Sequence, residues 1–420
     1  MVNSLRVILV IFMFAYWNFP VYLTTVPAWV NQIIYNGLPI LYLLRHRLEL
    51  LVLIKKASQY RYCIYVIFLI AIMVSWSVVA LAYNDSNDYS YFGKFFVVIR
   101  CIYVDVFLLL ISRGIFEQKD NISSFCWFWG ASLTFCVLFT IISLLFPGFR
   151  ADWQSLVAYT ARSEDLMDTA MYITRFSIGG FAGYGQTIVC SLGVVFSIIL
   201  LYKGYKIGIL FLLSSLLGNL FYGRFGVILS CFAIVFFALR TISIKKIGVY
   251  LISILAMCII LDIFFEMLDN PLLDAWKLWL MQPIEAFITG LEFGQITFGS
   301  SGDKLAYDMY WLPGIDTLIF GDGRYTNVLG DYYMHTDAGY MRIVLYFGFI
   351  GALFVYALYA VLFLWERQVN KYDALSSYMG EIVFIFLFLE EYKGDGYQLF
   401  FGVMVVGILC GLIGEGKGNA

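Results

Sequence analysis

Charge is what this sequence has least of. Only 13% of its 420 residues are Asp, Glu, Lys or Arg, against 62% that are hydrophobic. Soluble globular domains carry about 25% charged residues, so a water-soluble fold is excluded. Histidine occurs twice. A metal centre would have to rest on one His and several Asp, a weak ligand set. The eight cysteines show no CxxC spacing and no clustering with histidine. They lie mostly inside apolar runs and read as small buried apolar residues. HExxH, GxSxG, P-loop and GxGxxG motifs are all missing, which removes support for proteolysis, serine hydrolysis and nucleotide use. The net charge of −2 names no partner and gives no reason to expect nucleic acid. No internal repeat, low-complexity tract or soluble linker divides the chain, so residues 1–420 read as a single membrane domain.

Long apolar runs are what the sequence has instead. The mean hydropathy is +0.84. A helix needs about twenty apolar residues to cross the hydrocarbon of a bilayer. Runs of that kind fall at 5–27, 30–44, 63–83, 95–112, 125–147, 187–202, 207–222, 225–240, 247–267, 338–364, 378–391 and 397–414. The expectation is an all-α polytopic membrane protein of about 12 transmembrane helices. The first run has no small-residue cleavage site before a polar segment, so it reads as a retained span. Basic residues mark one side of the membrane. Arg45, Arg47, Lys55, Lys56 and Arg61 follow the second span, Arg113 and Lys119 the fourth, and Lys203 and Lys206 the sixth. Arg240, Lys245 and Lys246 follow the eighth, and Arg367 and Lys371 the tenth. These connectors alternate, so they share the cytoplasmic side, and both termini fall there too.

The opposite face receives two long connectors, 148–186 and 268–337, which suggest work done at that face. Leu272 to Phe293 in the second repeats its apolar positions at helical spacing. It reads as an amphipathic segment in the interface, broken near Pro283. Within spans, Arg100 and Asp105 stand out, because an ionisable group in the membrane is a functional hypothesis by default. Five residues apart, they point about 140° away from each other, so each needs a partner elsewhere. Asp262 and Glu266 near the end of the ninth span read as meeting water, with a cation the alternative.

Arginines gather on the outer face: Arg150, Arg162 and Arg175 in the first loop, Arg224 in a tight turn, and Arg324 and Arg342 in GDGRYTNVLGDYYMHTDAGYMR. Guanidinium binds phosphate in bidentate fashion and keeps its charge, so this set suits a lipid-linked pyrophosphate. Gly321 and Gly323 would let backbone amides converge on an anion. Asp331, His335 and Asp337 are the groups able to deprotonate a hydroxyl, while Asp322 and Asp331 also read as loop and turn residues. Were the tenth helix to begin early, His335 and Arg342 would share a face. Tyr332, Tyr333 and Tyr340 are candidates for stacking on sugars.

Three stretches carry a family resemblance. RFSIGGFAGYGQT (Arg175 to Thr187), YGRFGVILS (Tyr222 to Ser230), and PGIDTLIFGDGR followed by HTDAGYMRIVLYFGFIGAL resemble the O-antigen polymerase family, within the wider O-antigen polymerase and ligase group. In the ligases a histidine precedes the helix glycine by about eleven residues; counted back from Gly348, that place holds Asp337, with His335 two residues earlier. DAGY (Asp337 to Tyr340) is closer to the polymerase pattern. The resemblance implies glycosyl transfer between polyprenyl-pyrophosphate-linked oligosaccharides at the periplasmic face of the bacterial inner membrane, without a cofactor or metal. Arg175, Arg224, Arg324 and Arg342 would bind substrate, and Asp337 or His335 would serve as base. The partners implied are the lipid-linked donor and acceptor, the bilayer, and a chain-length regulator protein. An O-antigen ligase and a lipid-linked oligosaccharide flippase or transporter are the alternatives.

Overall fold

In hydrocarbon the backbone must satisfy its own hydrogen bonds, and a continuous apolar run does so as helix. The computed structural model describes residues 2–116, 120–158, 173–241, 271–292, 303–327, 331–371, 373–394 and 396–414, with positions 248, 252, 259 and 263. Of these residues 81% are helical. The principal helices are α1 (Val2–Asn18), α2 (Arg61–Tyr83), α3 (Ser90–Ser112), α4 (Asn121–Leu145), α5 (Tyr184–Tyr202) and α6 (Gly208–Tyr222). They continue with α7 (Arg224–Thr241), α8 (Pro271–Glu292), α9 (Gly339–Val369), α10 (Ala374–Lys393) and α11 (Tyr397–Gly414).

Six helices among the described residues are long and apolar enough to cross a membrane: α2, α3, α4, α5, α9 and α11. α1 and α6 are apolar but shorter. The expected run at 30–44 is a broken succession: a helix Ala28–Gln32, a π-helical turn Ile33–Gly37 and a helix Leu38–Arg45. The expected span 247–267, with Asp262 and Glu266, lies outside the described residues but for the single positions, as does Arg162. The expected break at Pro283 is corrected: α8 runs unbroken from Pro271 to Glu292. A proline removes one helical N–H, and here the turns on both sides carry the helix across it.

Two compact units emerge. The first comprises residues 1–42 and 107–281. Its centre is α5, buried continuously from Thr187 to Leu200. Membrane helices associate through small residues and interhelical hydrogen bonds rather than through a hydrophobic drive, and α5 uses both. A Cβ on Gly193 would meet Leu133 Cδ1 at 2.2 Å and Ser215 Oγ at 2.6 Å. Trp129 Nε1 donates to Val189 O at 3.1 Å, and Asn219 Nδ2 to Ser230 Oγ at 2.7 Å. α4 starts at Asp120, whose carboxylate accepts from Ser123 N at 2.6 Å and pairs with Lys203. Pro147, lacking an N–H, opens the next short helix, Pro147–Leu156. A two-stranded hairpin, β1 (Phe176–Ser177) against β2 (Gly180–Phe181), closes the first long loop.

The second unit comprises residues 43–106 and 282–420. Its axis is α9, packed against α2, α10 and α11. α9 is interrupted: Gly348 sits at φ 68° and ψ −179°, outside helical geometry. Only glycine adopts that conformation without strain. An interrupted helix leaves carbonyls without their intrahelical donors, and inside a membrane those must be answered by protein.

Candidate functional site

The answer to that interruption builds the site. Leu345 O accepts from Asp322 N at 2.6 Å and Tyr346 O from Gly323 N at 3.2 Å. Phe347 O accepts from Trp76 Nε1 at 2.7 Å. The Gly321–Gly323 turn therefore docks backbone to backbone on the broken step of α9. A Cβ on Gly321 would meet Tyr346 O at 2.3 Å, and one on Gly348 would meet Ile319 O at 2.2 Å. The turn is held from its other side by α2 and the loop after it. Asn84 Nδ2 donates to Gly321 O at 2.8 Å and Ser86 Oγ to Gly323 O at 2.7 Å. Asp88 Oδ2 accepts from Tyr325 N at 2.5 Å and Thr326 N at 2.7 Å, while Oδ1 accepts from Ser90 N at 2.9 Å.

These bonds correct the expected anion nest. The amides of Gly321, Asp322, Gly323, Tyr325 and Thr326 all point at protein oxygens. The two glycines are required for the crossing of chain on chain, with φ of 75° and 59°, and not for cradling an anion.

Beyond the turn the chain pairs back on itself. Thr326 bridges Tyr332, and Tyr333 N donates to Tyr325 O at 3.1 Å. This brings two tyrosine rings onto Arg342. Its guanidinium carbon lies 4.0 Å from the Tyr325 ring centroid and 3.6 Å from that of Tyr332. Arg342 is 4% exposed and Tyr332 42%. Arg342 is thus enclosed, with cation–π contact to both rings. Tyr332, Asp337 and Tyr397 are its electrostatic neighbours.

The other expected residues of this unit distribute around that floor. Arg324 is exposed. Tyr333 lies near Asp322 and Arg324; burial, then the Asp322 carboxylate, raises its phenol above the usual range. Thr317 Oγ1 donates to Asp322 at 2.6 Å, which makes Asp322 a turn-holding residue. Asp337 is half-buried between Thr336, whose hydroxyl donates to Met309 O, and buried Ala338. His335 is exposed in a 3-10 turn at φ 55°. α9 begins only at Gly339, so His335 does not share a helical face with Arg342, a second correction. Tyr340 donates to Phe388 O at 2.7 Å, a tie between α9 and α10.

Sequence reasoning missed two residues here. Glu390 and Glu391, near the end of α10, are both fully buried. Glu391 accepts from Tyr356 at 2.9 Å and Tyr359 at 2.7 Å, and Glu390 accepts from Gly396 N. Gly339 packs directly on this turn, since a Cβ there would meet Gly394 O at 1.8 Å. The signal was present in LFLEEYKGDGY: two adjacent carboxylates closing an apolar run, which reads as a span ending in water. Glu366 and Asp105 are also buried, against Gly380 and Gly402 respectively.

The first unit holds the other two expected arginines. Arg175 precedes β1 and Arg224 opens α7. Arg175 Nη2 lies 3.8 Å from the position of a Cβ on Gly223, so the two arginines flank one glycine. Arg150 is a structural tie, donating to Ile173 O at 2.9 Å with its guanidinium over Phe176. Among the described residues, no group of three His, Cys, Asp or Glu is placed to hold a metal ion.

Fold and site together define a helical protein suited to a bilayer, with ionisable groups enclosed in one of its two units. No family model, curated protein or solved structure matches the chain.

Proposed function

We propose that this protein polymerises polyprenyl-pyrophosphate-linked oligosaccharide repeat units into a surface polysaccharide, at the periplasmic face of the inner membrane. The observation that carries the reading is the enclosed Arg342, set against Tyr325 and Tyr332 with half-buried Asp337 among its electrostatic neighbours. The hydroxyl of one glycan attacks the anomeric carbon of the other. The bond from that carbon to the diphosphate oxygen breaks, and the lipid diphosphate leaves with the electron pair. Fixed cations stabilise the charge that develops on it. The hydroxyl proton passes to Asp337 or to His335. Arg175 and Arg224 stay in the proposal as substrate-binding residues. The finer topology, about twelve spans with both termini cytoplasmic, belongs to the same reading.

A transporter of lipid-linked oligosaccharide is the second reading, and one observation favours it. Asp105, Glu366, Glu390 and Glu391 are buried within the helices of one unit, as an ion-coupled carrier requires. Gel analysis of the surface glycan after gene deletion separates the two. Polymerisation expects the ladder to vanish while a single repeat unit stays attached. Loss of that single unit too favours transport or ligation, and an intact ladder defeats all of these readings. Arg175→Ala, Arg324→Ala and Asp337→Ala should each shorten or abolish the ladder at normal protein levels. An intact ladder in all three would sink the site assignment.

A further inference from the structure

Between Arg45 and Arg61 the chain carries five basic residues and one acidic one. Most of this stretch forms the helix Arg47–Ser58, which Gln59 and Tyr60 separate from α2. Lys56 Nζ donates to Leu412 O at 2.8 Å. Leu412 lies in the last turn of α11, where carbonyls lack an intrahelical donor and a cation meets the negative end of the dipole. The helix is thereby tied to the level at which α2 starts and α11 stops. Both of those helices are long and apolar enough to cross a membrane, so that level is a membrane boundary. Tyr62 and Tyr65, with ring centroids 6.2 Å apart at the start of α2, are of the type that collects there.

The helix has two unlike sides. Leu53 is buried. At about 100° per residue, Leu48 and Leu51 point away from Leu53, and Val52 and Ile54 flank them. These four are 57–75% exposed. Arg45, Arg47 and Lys55 are exposed on the same stretch, and none of the three is in an ion pair among the described residues. Glu49, the one carboxylate, lies 3.9 Å from His46. Water would leave the apolar strip unburied, and hydrocarbon would strand the cations. The headgroup layer accepts both: apolar side chains enter the acyl boundary, while the arginine and lysine stems snorkel to phosphate. The excess of positive charge selects anionic headgroups over zwitterionic ones.

We propose that the helix Arg47–Ser58 lies in the membrane interface and binds anionic phospholipid. Leu48, Leu51, Val52 and Ile54 enter the acyl boundary, and Arg45, Arg47 and Lys55 meet the headgroup phosphates. Such binding holds whatever reaction the protein carries out.

The test titrates the purified full chain with phosphatidylglycerol or phosphatidylcholine and counts bound lipid by native mass spectrometry. Phosphatidylglycerol should bind at least about tenfold more tightly. Each cation beside an anionic surface is worth about fivefold. Arg47→Gln with Lys55→Gln should therefore weaken phosphatidylglycerol binding by about tenfold or more and leave phosphatidylcholine binding unchanged. Arg47→Lys keeps the charge and should bind as the unaltered protein does. Lys206→Gln with Arg367→Gln removes as much charge from other exposed positions and should leave binding unchanged. In nanodiscs, hydrogen exchange at residues 47–58 should slow when phosphatidylglycerol replaces phosphatidylcholine. Thermal unfolding of each variant establishes that it is folded. Equal binding of the two lipids overturns the proposal. So does undiminished phosphatidylglycerol binding by Arg47→Gln with Lys55→Gln, or an equal loss in Lys206→Gln with Arg367→Gln. Exchange at residues 47–58 that ignores lipid composition overturns it too, and marks the apolar strip as open to a protein partner instead.

Discussion

The two units solve the same problem, polar atoms inside an apolar protein, in opposite ways. In the first, the buried polar side chains include Asn, Ser and Thr, and no Asp, Glu, Lys or Arg is buried among the described residues. In the second, Asp105, Arg342, Glu366, Glu390 and Glu391 are all buried. Neutral hydroxyls and amides can be satisfied by a neighbouring helix at little risk. A buried ionisable group is costly and is retained where it has work to do. The contrast makes the second unit the place to look for chemistry.

Glycine substitutions should break this comparison most sharply. Gly348→Ala and Gly321→Ala force a side chain into a backbone-on-backbone crossing at positive φ. Each should destabilise by about 3 kcal/mol or more. Gly130→Ala in the first unit meets side-chain atoms of Phe211, the ring at 2.4 Å and the Cβ at 2.8 Å, at an ordinary helical φ, and should cost about 1–3 kcal/mol. Thermal unfolding in detergent ranks the three; equal losses would erase the distinction. Next in size, Glu391→Ala strands the hydroxyls of Tyr356 and Tyr359 and should cost about 2–3 kcal/mol. Glu391→Gln keeps an acceptor and should cost roughly half as much. Asn219→Ala, which breaks a neutral pair in the first unit, should cost about 1 kcal/mol. A larger loss for Asn219 would reverse the argument.

Two loop carboxylates give a finer comparison. Asp88→Ala should cut glycan polymer length or yield about tenfold while folded protein persists, with Asp88→Asn recovering part of it, because an amide oxygen still accepts. Asp120→Ala should cost about 1 kcal/mol of stability and leave the glycan unchanged. The smallest effect is on pH. Burial pushes Asp120 upward, but hydrogen bonds from Lys203 and Ser123 outweigh it, so its carboxyl titrates below the ordinary range. A depressed folded-state value means its contribution is full above the unfolded carboxylate range and disappears as pH falls through the folded value. Asp120→Asn should flatten that part of the acid unfolding curve. An unchanged curve would remove Asp120 from the account.

Composition made the membrane class legible, and apolar run length placed α2, α3, α4, α5, α9 and α11. What stayed hidden depended on contacts distant in sequence. The glycines of GDGR suggested free amides because nothing local reveals that α9 breaks at Gly348 and presents carbonyls to them. Nothing local shows that Arg342 is enclosed, because the rings that enclose it, Tyr332 and Tyr325, stand ten and seventeen residues earlier. Pro283 looked like a breaker because one residue was weighed without its flanking turns. Glu390 and Glu391 passed as the watery end of a span, since the tyrosines that receive Glu391 stand on another helix.

Asp88 is made early in translation, yet the amides it receives, Tyr325 and Thr326, follow 237 and 238 residues later. Until then its carboxylate has only its own helix cap to hold. The segment bearing Arg324 and Tyr325 cannot dock on Asp88 until the chain has been made past residue 326. The turn thus joins two stretches that translation makes far apart in time.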